Sequence, residues 1–140
     1  MARLARRLAP AGDWEDVLQE SLSAAWRKRA QFDAERGTPR NWLLAIVADQ
    51  ARKGHRRIAA HPNLPLEDTA AAGDNVADVD MERALTRLTG RQRSAVALYY
   101  YLGLPVADVA AVMGCSAGTA KSTLADARQR LRRELGEDYR

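Results

Sequence analysis

The sequence predicts an all-α protein: two small helical domains joined by a linker, the second containing a helix-turn-helix. Three observations carry this expectation. The apolar content is mostly Ala, Leu and Val, with one Phe in 140 residues, which favours small helical cores over a β-sandwich. Apolar residues recur at helical spacing over most of the chain. One acidic stretch rich in Pro, Gly and Ala interrupts that period.

The elements follow in order. "LARRLAPAGD" reads as the end of a helix stopped by Pro10 and Gly12. A second helix starts after Asp13, a residue suited to an N-cap. Trp14, Val17, Leu18, Ser21, Leu22, Ala25 and Trp26 share one stripe of it, expected to be buried. Glu15, Asp16, Gln19, Glu20 and Ser23 fall off that stripe, on a polar and acidic face. "RKRAQFDAERG" leads into a loop closed by Gly37. Thr38 can cap the third helix, and Pro39 suits its first position, where no N–H is needed. Trp42, Leu43, Ile46 and Val47 form its apolar face, and "ARKGHRR" gives it a basic end that complements the helix dipole.

Residues 58–78 read as the linker, with domains at 1–57 and 79–140. Helices resume at about Val79, with Met81, Ala84, Leu85 and Leu88 on one face. Thr89 and Gln92 have capping-box spacing and open a helix that runs through Leu102 to Gly103. Pro105 opens a short helix, "VADVAAVM", ended by Gly114. Ser116 caps the last helix, where Ala120, Leu124, Ala127, Leu131 and Leu135 make one stripe.

Charge divides along the same boundaries. Residues 1–60 carry 12 basic and 7 acidic side chains, residues 61–82 carry 6 acidic and no basic ones, and residues 83–140 carry 10 basic and 5 acidic. Two blocks of net +5 therefore flank a connector of −6, giving the overall +4. Basic blocks of this kind suit a polyanion, most often nucleic acid, although solvated helix faces also produce them. Cys115 is the only cysteine, so there is no disulfide framework, and His55 and His61 lack partners at ligand spacing. No metal and no cofactor are expected. No apolar run is long enough for membrane insertion, and the N-terminus lacks a signal core, so a cytoplasmic protein is expected. With no nucleophile–base set and no phosphate-cradling Gly loop, no catalytic residues are assigned.

"VADVAAVMGCSAGTAKSTL" has the layout of a helix-turn-helix. Ala110 is small where the helices cross, Gly114 can take the left-handed turn, and Val109, Met113 and Ala120 can fill the wedge. A plain helical hairpin is the alternative. The second helix would enter the major groove by its N-terminal end, presenting Gly118, Thr119, Lys121, Ser122 and Thr123, with Ser116 and free backbone N–H groups available to phosphate. Arg128 and Arg132 share a side with Lys121. Arg91 and Arg93 are either further phosphate contacts or solvated.

Taken together, the chain resembles the bacterial extracytoplasmic-function (ECF) sigma factors. "WEDVLQESLSAAW" looks like that family's region 2 polymerase-binding helix. "FDAERGTPRNWLLAIV" is similar to the loop and helix that open the promoter, and the span from "LTGRQRSAV" to "LRREL" looks like region 4. The resemblance implies a protein that binds core RNA polymerase and directs promoter recognition and transcription initiation. It implies polymerase binding by Asp16, Gln19 and Glu20. It implies minus-ten DNA contacts by Arg36, Arg40, Asn41, Lys53, Arg56 and Arg57, in and after a loop (residues 32–39) that captures a flipped base. It implies minus-thirty-five contacts by Ser116, Gly118, Thr119, Lys121, Ser122, Thr123 and Arg128. Promoter DNA and core RNA polymerase are the expected partners, an anti-sigma factor is a further candidate, and the free protein is expected to be a monomer. Trp42 is either a core residue or part of the DNA-opening set, and its place on the apolar stripe favours the core.

The sequence departs from the family pattern in places. The family has about two more helical turns ahead of Met1, so the region 2 bundle is expected to be short of core surface. Asp49 stands in place of a usual Asn, Ala120 in place of a Val, and Thr123 and Asp126 in place of Arg. Asp126 precedes Arg130 by four residues, the order that favours an intrahelical ion pair. Two rival functions remain at this point: a helix-turn-helix regulator acting without polymerase, and a degenerate sigma-like module that binds protein and reads little DNA.

Overall fold

The computed structural model describes residues 1–9, 12–60 and 76–136, without the side chains of 58–60, 76–79 and 82. Most of the expected linker, His61 within it, and the stop at Pro10 lie outside the described residues. Seven helices and no strands occur among the described residues: α1 (Ala2–Leu8), α2 (Trp14–Arg27), α3 (Pro39–Ala60), α4 (Val76–Thr86), α5 (Gly90–Val96), α6 (Val106–Met113) and α7 (Ala117–Leu135). A 3-10 turn, Arg29–Gln31, follows α2, and a π-helical segment, Ala97–Tyr101, continues α5. Helices α3 and α4 each run inside the expected linker bounds, to Ala60 and from Val76.

The first three helices pack on one another, and α4, α5 and α6 pack on α7. The caps explain where several of them begin and end. Thr38 Oγ1 accepts from Asn41 N at 3.1 Å at the head of α3, while Thr89 and Gln92 form both halves of the capping box on α5. Asp13 holds the N-cap position of α2, but its side chain makes no capping bond. Gly103, with φ 71°, turns the chain out of the π-helical segment.

The α2 stripe differs from expectation. Val17, Ser21, Ala24 and Ala25 are buried, whereas Leu22 is 52% and Trp26 67% exposed. The reason is the direction from which α2 is covered: α1 and α3 contact its Val17–Ala25 side and leave Leu22 and Trp26 to solvent, with Arg29 stacked 4.0 Å over the Trp26 ring. Trp42 is half-buried. It packs with Ala24, Ala25 and Ile46, and its ring lies 5.5 Å from that of Phe32.

The two halves pack on one another. One apolar cluster runs from Leu4, Leu8, Val17, Leu44 and Val47 to Leu98, Leu104, Val109, Val112 and Leu124. Helix α3 contacts α6, and α1 contacts the π-helical segment, where Arg7 lies 4.4 Å over the Tyr101 ring.

Candidate nucleic-acid interface

The C-terminal site is built around a tight turn. Gly114 sits at φ 67°, ψ 36°, a left-handed conformation that costs a residue with a Cβ about 1 kcal/mol or more. Cys115 N donates to Ala110 O at 3.0 Å and Gly114 N to Ala111 O at 3.3 Å, which closes the end of α6 in the Schellman pattern. Val109, Ala110, Met113 and Ala120 are buried between α6 and α7 as the helix-turn-helix reading required. The wedge closes with Ala120 fully buried.

Ser116 starts α7. Its Oγ accepts from Thr119 N at 3.1 Å and donates to Thr119 Oγ1 at 2.9 Å. Gly118, Thr119, Lys121 and Ser122 are all exposed at this end, and Thr123 is half-buried one turn on. The Ser122 and Thr123 hydroxyls donate back to the Gly118 and Thr119 carbonyls, at 3.0 and 2.8 Å. An exposed helix start with free N–H groups, hydroxyls and one Lys can bind phosphate and reach base edges. Arg128 is exposed three turns along the helix, with its Nε 3.4 Å from Leu124 O. Among the described residues Asp126 makes no ion pair with Arg130, so the expected intrahelical bridge is not formed.

The N-terminal candidates fall into two groups at opposite ends of α3. At its start, Asp33 Oδ1 accepts from Glu35 N at 3.0 Å and Asp33 Oδ2 lies 3.7 Å from Arg36 Nε, which shapes the exposed loop. Phe32 anchors that loop on Trp42. Arg40 is exposed, but Asn41 is only 7% exposed. At the far end, Arg56 and Arg57 are exposed and Lys53 pairs with Asp49 at 3.2 Å. Lys53 lies thirteen positions along the helix from Arg40, about 20 Å, so the structure does not gather these residues into one patch. Asp49 also lies 3.7 Å from Arg52, so its charge is met within its own helix.

Asp16, Gln19 and Glu20 are exposed together on α2. Leu22 and Trp26, three and seven residues beyond Gln19, extend that face. Sequence reasoning placed these two in the core; their exposure makes them surface candidates. It also missed two other sets of contacts. Arg93 is half-buried, and its guanidinium donates to the carbonyls of Leu85 (3.1 Å), Thr86 (3.0 Å) and Leu88 (3.0 Å). Burial lowers its pKa below the ordinary value. Asp108 Oδ1 accepts from Asn41 Nδ2 at 3.2 Å and its Oδ2 lies 3.3 Å from Arg40 Nη2. The available signal was a lone acid in the otherwise apolar α6. Among the described residues no group of His, Cys, Asp or Glu could hold a metal ion, and no helix is long and apolar enough to cross a membrane.

Comparison with known proteins bears on this arrangement. Residues 1–60 match the Sigma-70 region 2 family, and residues 78–131 match Sigma-70, region 4. The ECF RNA polymerase sigma factor SigM of Mycobacterium tuberculosis is 38% identical over 140 residues, covering 97% of this chain and 70% of that one. The chain belongs to the ECF RNA polymerase sigma factors. Its function is therefore in transcription initiation, and the reading as a regulator acting without polymerase is not favoured. Two solved structures share the fold. The sigma factor RpoE, in complex with the anti-sigma factor NepR from Bartonella quintana, has a TM-score of 0.72 at 30% identity, covering 98% of this chain and 90% of that one. CnrH, in complex with the cytosolic domain of CnrY, has a TM-score of 0.69 at 26% identity, covering 98% and 80%.

Proposed function

We propose that this ECF sigma factor docks on core RNA polymerase through the exposed face of α2, reads minus-thirty-five DNA with the start of α7, and handles minus-ten DNA from both ends of α3. The observation that carries this is the exposure of α2 in two registers: acidic at Asp16 and Glu20, apolar and aromatic at Leu22 and Trp26. A helix used only for folding has no call for an exposed Leu and Trp beside a carboxylate cluster, whereas a basic, partly apolar partner helix fits both.

The chain would be non-enzymatic, catalysis belonging to the polymerase, and would act in the cytoplasm alongside it. An anti-sigma factor is a further expected partner, since both structural relatives are held in complexes of that kind or with a cytosolic protein domain. The basic ends of α3 and α7 support phosphate contacts, with Arg36, Arg56, Arg57, Lys121 and Arg128 exposed.

The test is run-off transcription from a promoter library with core polymerase. Transcription that is lost with Asp16→Arg, while the variant stays folded, is the expected result. Promoter-specific binding without polymerase and indifferent to Asp16→Arg would sink the reading; so would polymerase binding that yields no transcript.

A further inference from the structure

Asp49 is the only carboxylate on α3, a helix that also carries Arg40, Arg52, Lys53, Arg56 and Arg57. Its two oxygens divide between two of these cations: Oδ2 lies 3.2 Å from Lys53 Nζ and Oδ1 3.7 Å from Arg52 Nη2. We propose that Asp49 is a built-in competitor for phosphate at the far end of α3. It occupies Lys53 and so weakens the hold of that end on DNA by a set amount. This rests on the reading of Lys53, Arg56 and Arg57 as minus-ten DNA contacts.

Helix geometry sets up the competition. Residues 49, 52, 53 and 56 follow one another at helical spacing and share one face of α3. A carboxylate and a phosphate are both anionic acceptors for the same ammonium, so DNA meets a Lys53 that already has a partner. Lys53 can give up that partner, which costs affinity by up to about five-fold for an exposed pair. Or it can hold both. A phosphate oxygen bonded to Nζ from its open side then lies about 6 Å from Asp49 Oδ2, the 3.2 Å of the ion pair plus one hydrogen bond. Like charges at that distance in water reduce affinity by about a factor of three.

The effect is graded, not a block. The Lys53 side chain is 52% and that of Asp49 36% exposed, so water screens the pair and its partners can exchange. Arg56 and Arg57 are exposed one turn on. With this end of α3 held back, engagement of DNA leans more on the polymerase that positions the chain.

An acid four residues ahead of a base also supports the helix itself. That role alone leaves DNA binding as it is, so the salt dependence of binding separates the two.

The test uses the full chain and a fluorescent DNA duplex of random sequence, because phosphate contacts carry no sequence information. Affinity is measured across a salt series for the parent, Asp49→Asn, Lys53→Met and the double variant, with urea unfolding curves to show that each folds. Asp49→Asn should tighten binding about two- to five-fold and steepen the slope of log affinity against log salt by up to about one unit. Lys53→Met should flatten that slope by about one unit in the Asp49→Asn background and by clearly less in the parent. Such non-additivity is the signature of competition. Asp49→Glu, which keeps the charge within reach, should behave as the parent. Glu15→Gln, at an exposed site on α2, makes the same change in net charge as Asp49→Asn and should gain less. Additive effects at 49 and 53 would overturn the competition and leave Lys53 a DNA contact. So would an Asp49→Asn variant that binds no tighter than the parent, or an equal gain from Glu15→Gln. No effect of Lys53→Met in either background would instead overturn the reading on which the proposal rests.

Discussion

Arg93 Nη1 stands 3.2 Å from His55 Nε2 across the join between α5 and α3. The same ring nitrogen lies 2.8 Å from the Leu8 carbonyl on α1, so His55, on α3, touches two other helices. Nε2 cannot donate to Leu8 and accept from Arg93 at once, and with Nε2 protonated the Leu8 bond is the one that forms. Burial lowers the His55 pKa; the Leu8 bond raises it, and the Arg93 charge lowers it again. The folded chain thus holds His55 neutral to lower pH than its ordinary value of 6.5.

This gives a pH dependence with a definite sign. Well above pH 6.5 both folded and unfolded chains carry a neutral ring, and the full stability is present. As pH falls below that value the unfolded chain takes up a proton that the folded chain refuses, and stability drops until the lowered folded pKa is reached. Melting temperatures between about pH 5 and 7.5 should show this slope, above the range where ordinary carboxylates titrate. His55→Gln should flatten it; an unchanged slope would assign the effect elsewhere.

Arg93 should matter for stability and not for DNA. Its three carbonyl contacts are charge-assisted and partly shielded, so Arg93→Met should cost about 2–3 kcal/mol in urea denaturation. Arg93→Lys should lose most of that, because an ammonium cannot fork to three carbonyls. The salt slope of DNA binding should stay as it was. A flatter slope in Arg93→Met would return this residue to the phosphate contacts.

How much of this was legible in sequence follows from what each signal encodes. Local chemistry was readable. The Thr89–Gln92 box, the Ser116 cap and the Gly114 turn each depend on residues within one turn of one another, and each formed. The helix-turn-helix wedge was readable for the same reason. Two local readings did not form, the Asp13 side-chain cap and the Asp126–Arg130 pair; the other misses depend on neighbours distant in sequence. Periodicity showed that α2 has an apolar stripe but not how far round α1 and α3 cover it, and so Leu22 and Trp26 were misplaced. Arg93 looked like any exposed basic residue until the end of α4 brought its carbonyls within reach. The Asp108 contacts span 67 and 68 residues, and no pattern in "VADVAAVM" points to α3.

Gly118 should separate stability from function. It is exposed on the first turn of α7, and a Cβ built there meets only Ser116 Oγ, at 3.8 Å. Gly118→Ala therefore fits without strain and should stabilise the chain by a few tenths to about 1 kcal/mol through helix propensity. If the backbone here approaches DNA as closely as the recognition-helix assignment requires, the added methyl should weaken binding to minus-thirty-five duplex. Greater stability together with unchanged DNA affinity would place the DNA elsewhere on α7.

Trp26 should behave in the opposite sense to a core tryptophan. At 67% exposure its removal leaves no cavity, so Trp26→Ala should change unfolding stability by less than about 1 kcal/mol. On the proposed polymerase face it is the largest apolar group, and aromatic anchors dominate such interfaces, so affinity for core polymerase should fall about ten-fold or more. Core-like destabilisation with unaltered polymerase binding would contradict the role given to this face.

Thr123 offers the sharpest probe of the reading end. It lies one turn beyond Thr119, half-buried, with its hydroxyl turned back on the Thr119 carbonyl at 2.8 Å, so the native side chain offers DNA little. An Arg at this position can extend past the helix surface and neutralise about one phosphate. Thr123→Arg should therefore tighten binding to minus-thirty-five duplex and steepen the dependence of log affinity on log salt by about one unit. Asp126, exposed three residues further on, would compete for the new guanidinium, though such a pair contributes only about 0.2–0.5 kcal/mol. Adding Asp126→Ala should bring the slope to its full value. A slope unchanged in both variants would show that this side of α7 does not face the DNA backbone.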